Sequence, residues 1–234
     1  MKPTGGKEPA LKRRPTIEDV ARVAGVAVGT VSRVLGGYEN VAPEIRDKVL
    51  KTIGQVGFVP NAIAQSMRLG TTKTIGLMVY DITVPALAAF VKSVQRACQD
   101  AGYVVLLANT GGERSVEFEM LKTFAQRKTD GLIVTFGSEG DPELSAALND
   151  SGIPVVLFER DTPEDFDRVL ADHEGGMYAA TRHLLAIGHR RIALITGSPE
   201  IAAARSRLAG FRNAYLQTAV AYEEAIALTG GFSA

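Results

Sequence analysis

The chain has 234 residues, of which 46% are hydrophobic and 22% are charged, and this is typical of a globular protein with room for more than one core. No apolar run reaches the roughly 18 residues of a membrane span, and no apolar signal-peptide core follows the basic N-terminus. The composition therefore predicts a cytoplasmic protein with no membrane partner.

Charge is distributed unevenly, although the 26 basic and 26 acidic residues balance. Residues 1–73 contain 12 basic residues (Lys and Arg) and 6 acidic residues (Asp and Glu), which gives a net charge of +6. The other 161 residues contain 14 basic and 20 acidic residues, which gives a net charge of −6. A basic N-terminal part indicates that only this part contacts a polyanion, although a solvated charge run fits the count equally well.

Two short amphipathic helices are predicted after a disordered basic tail, residues 1–14. The first has Thr16 as its N-cap and Asp19 at the third helical position, close to a capping box, and Gly25 ends it. After a tight turn, the second runs from about residue 28 to 35. Two helices joined by a glycine-containing turn indicate a helix-turn-helix, whose second helix enters the major groove of DNA.

Helical spacing divides the second helix into two faces. Its inner face carries Val31, Val34 and Leu35, and the residues that point outwards are Val28, Gly29, Ser32 and Arg33. A third helix follows Pro43 and completes a small helical domain over residues 15–60. Small side chains at the outer positions have a second explanation, which is simple surface tolerance.

The segment "PNAIAQSMRLG" predicts a short helix within a linker, residues 61–73. Asn61 can cap it, Met67 lies on one of its faces, and Gly70 can end it. Such a helix has about seven residues, and isolated helices below roughly 12 residues are marginal in water.

From Thr74 onwards the pattern changes to short, continuous apolar runs that alternate with helical stretches. The runs are "TIGLMVY", "YVVLLAN", "GLIVTF", "IPVVLF" and "RIALIT". This alternation predicts an α/β fold with doubly wound parallel sheets. We place about four strands in a first subdomain, residues 74–158, and about three in a second, residues 159–234.

Ligands of such sheets bind beyond the carboxyl ends of the strands. The side chains that follow the predicted strands are polar and of mixed charge, which favours a hydroxyl-rich small molecule. They include Asp81, Thr135, Phe136, Glu159, Arg160 and Asp172. Asp81 and Asp172 can equally be caps of the helices that follow them.

Nothing in the sequence predicts catalysis, a metal or another cofactor. The single Cys98 lies at helical spacing, which favours a buried small hydrophobe over a nucleophile. The three histidines lack the Cys or carboxylate spacing of a metal site, and no phosphate-binding, dinucleotide or nucleophile-elbow motif is present.

Several of these segments together resemble the LacI/GalR family of bacterial transcription regulators. They are "TIEDVARVAGVAVGTVSRVL", "VAPEIRDKVLKTIGQVGFVPNAIAQSMR", "TIGLMVYDITVP", "ADHEGGMYAATRHLLAIGHRRIALITG" and "RSRLAGF". The resemblance covers nearly the whole chain. It implies a helix-turn-helix part and an incomplete periplasmic-binding-protein-like body, since the family continues where this sequence stops, and it predicts a truncated regulator.

The resemblance also implies DNA-binding roles. Val28 and Gly29 match positions that read base edges, Arg33 matches a base-contacting arginine, and Thr30 and Ser32 match positions near phosphates. Asn61 matches the start of a hinge helix, and Met67 stands where the family has a Leu that enters the minor groove. Thr16 and Ala64 complete the predicted set. The alternative for Met67 is packing on the body.

Two residues of the helix-turn-helix depart from the family pattern. Ala27 stands where a capping Ser is usual, which costs roughly 0.5–2 kcal/mol of capping, and Gly36 stands where Asn is common. Both changes remove phosphate contacts, for which residues 12–14 and Arg46 can compensate.

For the effector, the resemblance assigns Glu159 and Arg160 to the second subdomain, Leu87 and Thr135 to the first, and Arg207 to a position that faces the ligand. Leu87 replaces an aromatic residue that is common in the family, so this position offers no aromatic ring to stack on a sugar.

The predicted function is an effector-responsive repressor that binds double-stranded operator DNA as a homodimer, with a sugar or related metabolite as its effector. A protein of another class remains open, namely a small-molecule-binding or catalytic α/β protein with an incidental basic part. A third possibility is a shortened regulator that binds DNA poorly.

Overall fold

The computed structural model describes residues 13–59, 66, 70–137, 139–162, 165–218, 222 and 226–230. The chain forms two compact units, Met1–Thr72 and Lys73–Ala234, which we call the head and the body. No helix in the described ranges is long and apolar enough to cross a membrane.

The head is a bundle of three helices, α1 (Ile17–Ala24), α2 (Val28–Leu35) and α3 (Pro43–Val56). Glycines with left-handed backbone angles end α1 and α3, Gly25 at φ 63° and Gly57 at φ 69°. The buried core is aliphatic and comes from all three helices and one loop: Val20, Ala21, Ala24, Val31, Val34, Val41 and Val49. The predicted helix-turn-helix and third helix are confirmed.

Beyond α3, the predicted short helix falls largely outside the described residues. Ser66 has helical backbone, and the Gly70 N–H donates to its carbonyl at 2.9 Å with Gly70 at φ 69°. The helical turn therefore ends at Gly70, as predicted. Asn61, Ala64 and Met67 lie outside the part of the chain that the structure describes.

The body alternates strands and helices. Its described elements are β1 (Thr74–Val79), α4 (Pro85–Asp100), β2 (Val104–Asn109), α5 (Arg114–Gln126), β3 (Gly131–Val134), α6 (Pro142–Asp150), β4 (Val155–Phe158), β5 (Asp167–Val169), α7 (His173–Ala186), β6 (Ala193–Thr196), α8 (Ala202–Leu216) and β7 (Ile226–Thr229).

These strands form two parallel sheets, one in the order β2-β1-β3-β4-β5 and one of β6 and β7. The predicted α/β fold is confirmed, but the expected division into about four and about three strands was wrong, because β5 pairs with β4 in the first sheet. All three residues of β5 are exposed, so it has no apolar run that would indicate its sheet.

Helices pack on both sheets, although Ile195 of β6 and Leu228 of β7 in the second sheet are exposed. Met78, Leu132 and Leu157 of the first sheet are buried together with Phe124 and Leu144 of α5 and α6. In the second sheet, Leu194 packs with Leu185 of α7 and with the aromatic residues of α8. The carboxyl ends of β1, β3 and β4 meet at one edge of the first sheet because these strands are adjacent and parallel.

Candidate functional site

The outer face of α2 carries the residues predicted to read bases. Val28 is 42% exposed, and Gly29 and Arg33 are exposed as well, whereas Val31 and Val34 on the other face are buried. A Cβ added to Gly29 would meet no heavy atom within 4 Å, so packing within the head does not require glycine there. The structure confirms the two faces, and the roles toward DNA stay predictions.

The residues predicted to lie near phosphates are less exposed than those predicted to read bases. Thr30 and Ser32 are only partly exposed. Ala27 is the N-cap of α2 and makes no side-chain hydrogen bond to it, so the cap contributes only its backbone carbonyl, which accepts from the Thr30 N–H at 2.9 Å and the Val31 N–H at 3.3 Å. Arg46, named above as a compensating contact, donates to the backbone carbonyl of Tyr38 at 2.5 Å.

Charged groups gather around Asp19 at the start of α1. Its carboxylate accepts from the Thr16 backbone N–H at 3.0 Å, from Arg13 at 2.9 Å and from Arg22 at 2.7 Å. The Thr16 hydroxyl donates to the carboxylates of Glu18 and Asp19. Chiefly the Thr16 N–H, and then Arg22, lower the pKa of Asp19 to about 2.

This lowered pKa predicts an acid-dependent stability of α1. Because the folded pKa of about 2 lies below the ordinary value of 3.8, the stabilisation is present above pH 4 and is lost as the pH falls through 2. Asp19→Asn mimics the protonated form, so we expect a less stable α1 in the variant at pH 5. This difference from the wild type should shrink toward zero near pH 2.

Thermal unfolding of both chains, followed through the amide NMR signals of α1 between pH 5 and pH 2, measures this. Signals of α8 serve as an internal control. A difference of constant size across this pH range would contradict the assignment to Asp19.

In the body, Arg160 lies at the end of β4 and is only 5% exposed. Its Nε donates to the Phe136 carbonyl at 2.8 Å, one terminal nitrogen donates to the same carbonyl, and the other donates to the Glu159 carbonyl at 2.7 Å. The guanidinium also lies over the ring of Tyr80, 5.2 Å from its centroid. Arg160 therefore contacts residues at the ends of all three strands β1, β3 and β4.

Electrostatics around Arg160 fit this role. Burial lowers the pKa of its guanidinium, and Glu139, Tyr80 and Glu117 raise it. Glu117 is 1% exposed, and burial raises the pKa of its carboxyl, while the Gly137 N–H at 2.9 Å and the charge of Arg160 lower it. Sequence reasoning missed Glu117, because its position in α5 gave no signal of a polar group in the core.

Phe136 and Thr135, predicted at the end of β3, are both buried. Phe136 takes part through its carbonyl, which accepts from Arg160. The Oγ1 atom of Thr135 has no hydrogen-bond partner within the described part of the chain. A buried hydroxyl without a protein partner is costly, and a ligand or water oxygen would satisfy it.

Glu159, His173 and Arg207 come together on the body although they are distant in sequence. The Glu159 carboxylate contacts Nε2 of His173, and Nδ1 of His173 lies 3.3 Å from a terminal nitrogen of Arg207. Glu159 has a left-handed backbone at φ 54° and is fixed by bonds to Val169 and Ala171. A non-glycine residue held in this region is typical of functional sites.

Other predicted effector residues lie elsewhere or have local partners. Asp81 accepts from the Thr83 N–H at 2.8 Å and from its hydroxyl at 2.7 Å, and these bonds lower the pKa of Asp81. Asp172 caps α7 by accepting from the Gly175 N–H at 2.8 Å, in agreement with the capping alternative. Leu87 is buried, at 6% exposed.

Glu139, which the sequence did not indicate, links the two sheets of the body. Its side chain is 4% exposed and accepts from the Ala202 N–H at 2.6 Å, at the first residue of α8. A cavity of about 400 Å³ lies between α7 and α8 and shares only Asp172 with the predicted effector set. No group of three His, Cys, Asp or Glu residues suited to a metal occurs in the described ranges.

Comparison with known families decides the classification. Residues 16–61 match the bacterial regulatory proteins of the lacI family, and residues 72–227 match the periplasmic binding proteins and sugar binding domain of the LacI family. The chain belongs to the LacI family. Both matches follow the division into head and body.

Individual members of the LacI family are similar along nearly the whole chain. The HTH-type transcriptional repressor PurR of Photobacterium profundum is 33% identical over 218 residues, covering 93% of this chain and 65% of the relative. The ribose operon repressor of Haemophilus influenzae is 34% identical over 210 residues, covering 88% of this chain and 62% of the relative. This chain thus spans somewhat less than two thirds of the length of these relatives.

Solved structures of LacI-family proteins agree with the fold. The transcriptional regulator CelR in complex with cellobiose has a TM-score of 0.62 and 33% identity, covering 94% of this chain and 67% of that one. The lac repressor dimer bound to operator and the anti-inducer ONPF has a TM-score of 0.78 at 24% identity, covering 94% of this chain and 66% of that one. At this identity the second likeness concerns the fold alone.

Proposed function

We propose that this protein is a sequence-specific DNA-binding transcription regulator, a repressor that acts as a homodimer in the cytoplasm and responds to a small molecule. The observation that carries the proposal is the helix-turn-helix of the head, in which α2 exposes Val28, Gly29 and Arg33 while its other face is buried. The similarity to the PurR and ribose operon repressors supports the same function.

Recognition of the operator rests on α2. Arg33 can donate two hydrogen bonds to O6 and N7 of guanine, whereas Val28 and Gly29 offer only apolar contact and a close approach. Thr16, Thr30 and Ser32 contact phosphates, and the net charge of +6 on residues 1–73 adds a salt-sensitive attraction. Two paired heads would place two copies of α2 in successive major grooves.

A hinge helix completes the proposed DNA contact. For three of its residues that lie outside the described ranges, we propose Asn61 as its cap, Ala64 as a further DNA contact and Met67 as the side chain that enters the minor groove and kinks the operator. The structural support is the helical turn that ends at Gly70.

The effector site lies at the strand ends of the body. Its support is the buried Thr135 hydroxyl without a partner among the described residues, together with the Glu159–His173–Arg207 contacts. Acceptors and donors of both charges fit a hydroxyl-rich molecule such as a sugar. Such a ligand regulates DNA binding only as far as it binds two states of the protein with different affinity.

The alternative from another class is a small-molecule-binding or catalytic α/β protein whose basic head is incidental. It predicts that removal of the head leaves its activity unchanged. We favour the regulator because the head has its own aliphatic core and exposes a separate face of α2 that carries Arg33.

Arg33→Ala tests the proposal directly. We expect the variant to lose about 1–3 kcal/mol of binding free energy for the operator and to relax specificity at one base pair, because a bidentate base contact disappears. The measurement is a gel shift with a pseudo-palindromic site from the DNA upstream of its gene, at several salt concentrations.

Arg182→Ala is the matched control, since Arg182 is an exposed helical arginine of the body. It removes the same charge and should leave affinity and specificity unchanged. If both variants lose the same binding free energy for the operator, the effect of Arg33 is one of net charge alone. If the wild type forms no salt-sensitive specific complex with DNA, the proposed function as a regulator is wrong.

A further inference from the structure

His173 is the first residue of α7 and joins two other elements of the body. Its ring lies between Glu159, at the end of β4, and Arg207, in α8, and the side chains of His173 and Glu159 are only 18% and 19% exposed. Neither contact arises from neighbours in sequence, so the fold itself places an imidazole between a carboxylate and a guanidinium.

Both contacts are hydrogen bonds in one tautomer of the ring. In that tautomer Nε2 carries the hydrogen and donates to the Glu159 carboxylate. Arg207 has donors only, so Nδ1 must be the unprotonated acceptor at 3.3 Å. An imidazolium, or the opposite tautomer, would set two donors against each other at Arg207. The neutral Nε2–H tautomer is the state that satisfies both partners.

Arg207 uses little of its hydrogen-bonding capacity in this arrangement. Within the described ranges, the contact with His173 is the one hydrogen bond of its guanidinium, although the residue is partly buried. A guanidinium has five N–H donors in a rigid plane. A hydrogen bond at one terminal nitrogen restricts the orientation of this plane, so we expect the remaining donors to be held toward whatever occupies the site.

We propose that His173 is a positioning residue of the effector site, which as a neutral acceptor fixes the plane of Arg207 for paired oxygen atoms of the ligand. This inference rests on the effector-responsive function proposed above. Glu159 acts through the ring by holding its tautomer. Asp172, Glu174 and Arg160 flank the site, but their hydrogen bonds go to the Gly175 N–H, the Asn213 amide and backbone carbonyls.

Nitrogen NMR of the full-length chain tests the arrangement without any ligand. We expect the His173 ring to give the pattern of a neutral Nε2–H tautomer at pH 7.5, and Arg207 to show a terminal N–H signal with restricted rotation. His173→Asn and Arg207→Lys assign the two signals. A protonated Nδ1 or a freely rotating Arg207 guanidinium in the wild type overturns the proposal.

Two substitutions at His173 separate positioning from folding. Asn keeps an acceptor near the place of Nδ1, and Leu fills a similar volume without one. We expect the restricted Arg207 signal to survive in His173→Asn and to vanish in His173→Leu, with circular dichroism unchanged in both. If Leu leaves the Arg207 signal intact, His173 does not position it. If Leu unfolds the body, loss of the signal in a folded His173→Phe chain gives the same answer.

Thermal shifts with D-ribose and cellobiose extend the test to ligands. If either sugar raises the midpoint of the wild type, the affinity should fall about tenfold or more in His173→Leu and by less than about threefold in His173→Asn. Unchanged affinity in His173→Leu overturns the proposal. If neither sugar binds the wild type while the NMR results hold, the sugar-type effector of the proposed function fails and the role of His173 stands.

Discussion

Gly210→Ala should destabilise the body by about 3 kcal/mol or more, the largest loss we expect from one added methyl group. A Cβ at Gly210 would lie 2.1 Å from the backbone carbonyl oxygen of Glu174 and 3.0 Å from the backbone nitrogen of Tyr178. Both atoms belong to the backbone of α7, so no side-chain rotation can relieve the clash. Helices α7 and α8 would have to move apart, which opens the core around Phe211.

Gly176→Ala supplies the control for this substitution. Gly176 lies within α7, and a Cβ there meets no heavy atom within 4 Å. Alanine is the better helix former, so this variant should gain about 0.5–1 kcal/mol. Thermal unfolding of the body should therefore shift in opposite directions, down by roughly 6–12 °C for Gly210→Ala and slightly up for Gly176→Ala. Two shifts of the same sign would contradict the close packing at Gly210.

Arg160→Met should cost about 3 kcal/mol, because it removes a buried cation and leaves its partners behind. The Phe136 and Glu159 carbonyls lose their donors, and the buried Glu117 carboxyl loses the positive charge that lowers its pKa. Methionine fills part of the volume but supplies no donor. Denaturant unfolding of the full chain measures the loss.

The same exchange at Arg168 is the control. Arg168 lies on β5, its side chain is 34% exposed, and it pairs with Asp161, which is itself half exposed. Exposed ion pairs contribute about 0–1 kcal/mol, so Arg168→Met should change the stability far less. If both variants lose the same amount, the bonds of Arg160 to the strand ends contribute no more than a surface ion pair.

Much of the fold could be predicted because periodicity is a local property. Helix α2 was predicted with its observed ends, 28 and 35, since an inner apolar stripe and a flanking Gly mark it. Strands β1, β3 and β4 are continuous apolar runs because they lie inside the first sheet, between helices, whereas the edge strand β2 has an apolar run although Val104 and Leu107 are exposed. Strand β5 is polar and short, and its partner is set by backbone bonds that leave no pattern in sequence.

The candidate site was predictable only in part. Position at a strand end is sufficient to bring Glu159, Arg160 and Thr135 to one edge, but it does not say what each side chain binds. Arg160 was expected to contact a ligand, but its N–H groups instead donate to two backbone carbonyls. This arrangement depends on the burial of the Arg160 side chain, which no local sequence pattern indicates. The predicted effector set did not include His173, which begins α7 after its cap Asp172 and is brought to Glu159 and Arg207 by the fold.

Glu139 has a consequence for how the body can move. It stands in the loop between β3 and α6, yet its carboxylate accepts from the first N–H of α8, a helix that packs on the other sheet. Among the described residues, the carboxylate has only longer contacts besides this one, with the Asp161 N–H at 3.4 Å and a terminal nitrogen of Arg205 at 3.7 Å. A small rotation between the two sheets would therefore remove its shortest donor while it stays buried, which is more costly than either a closed or a fully hydrated arrangement. We therefore expect the two sheets of the body to have two stable arrangements and to change between them in one step rather than gradually.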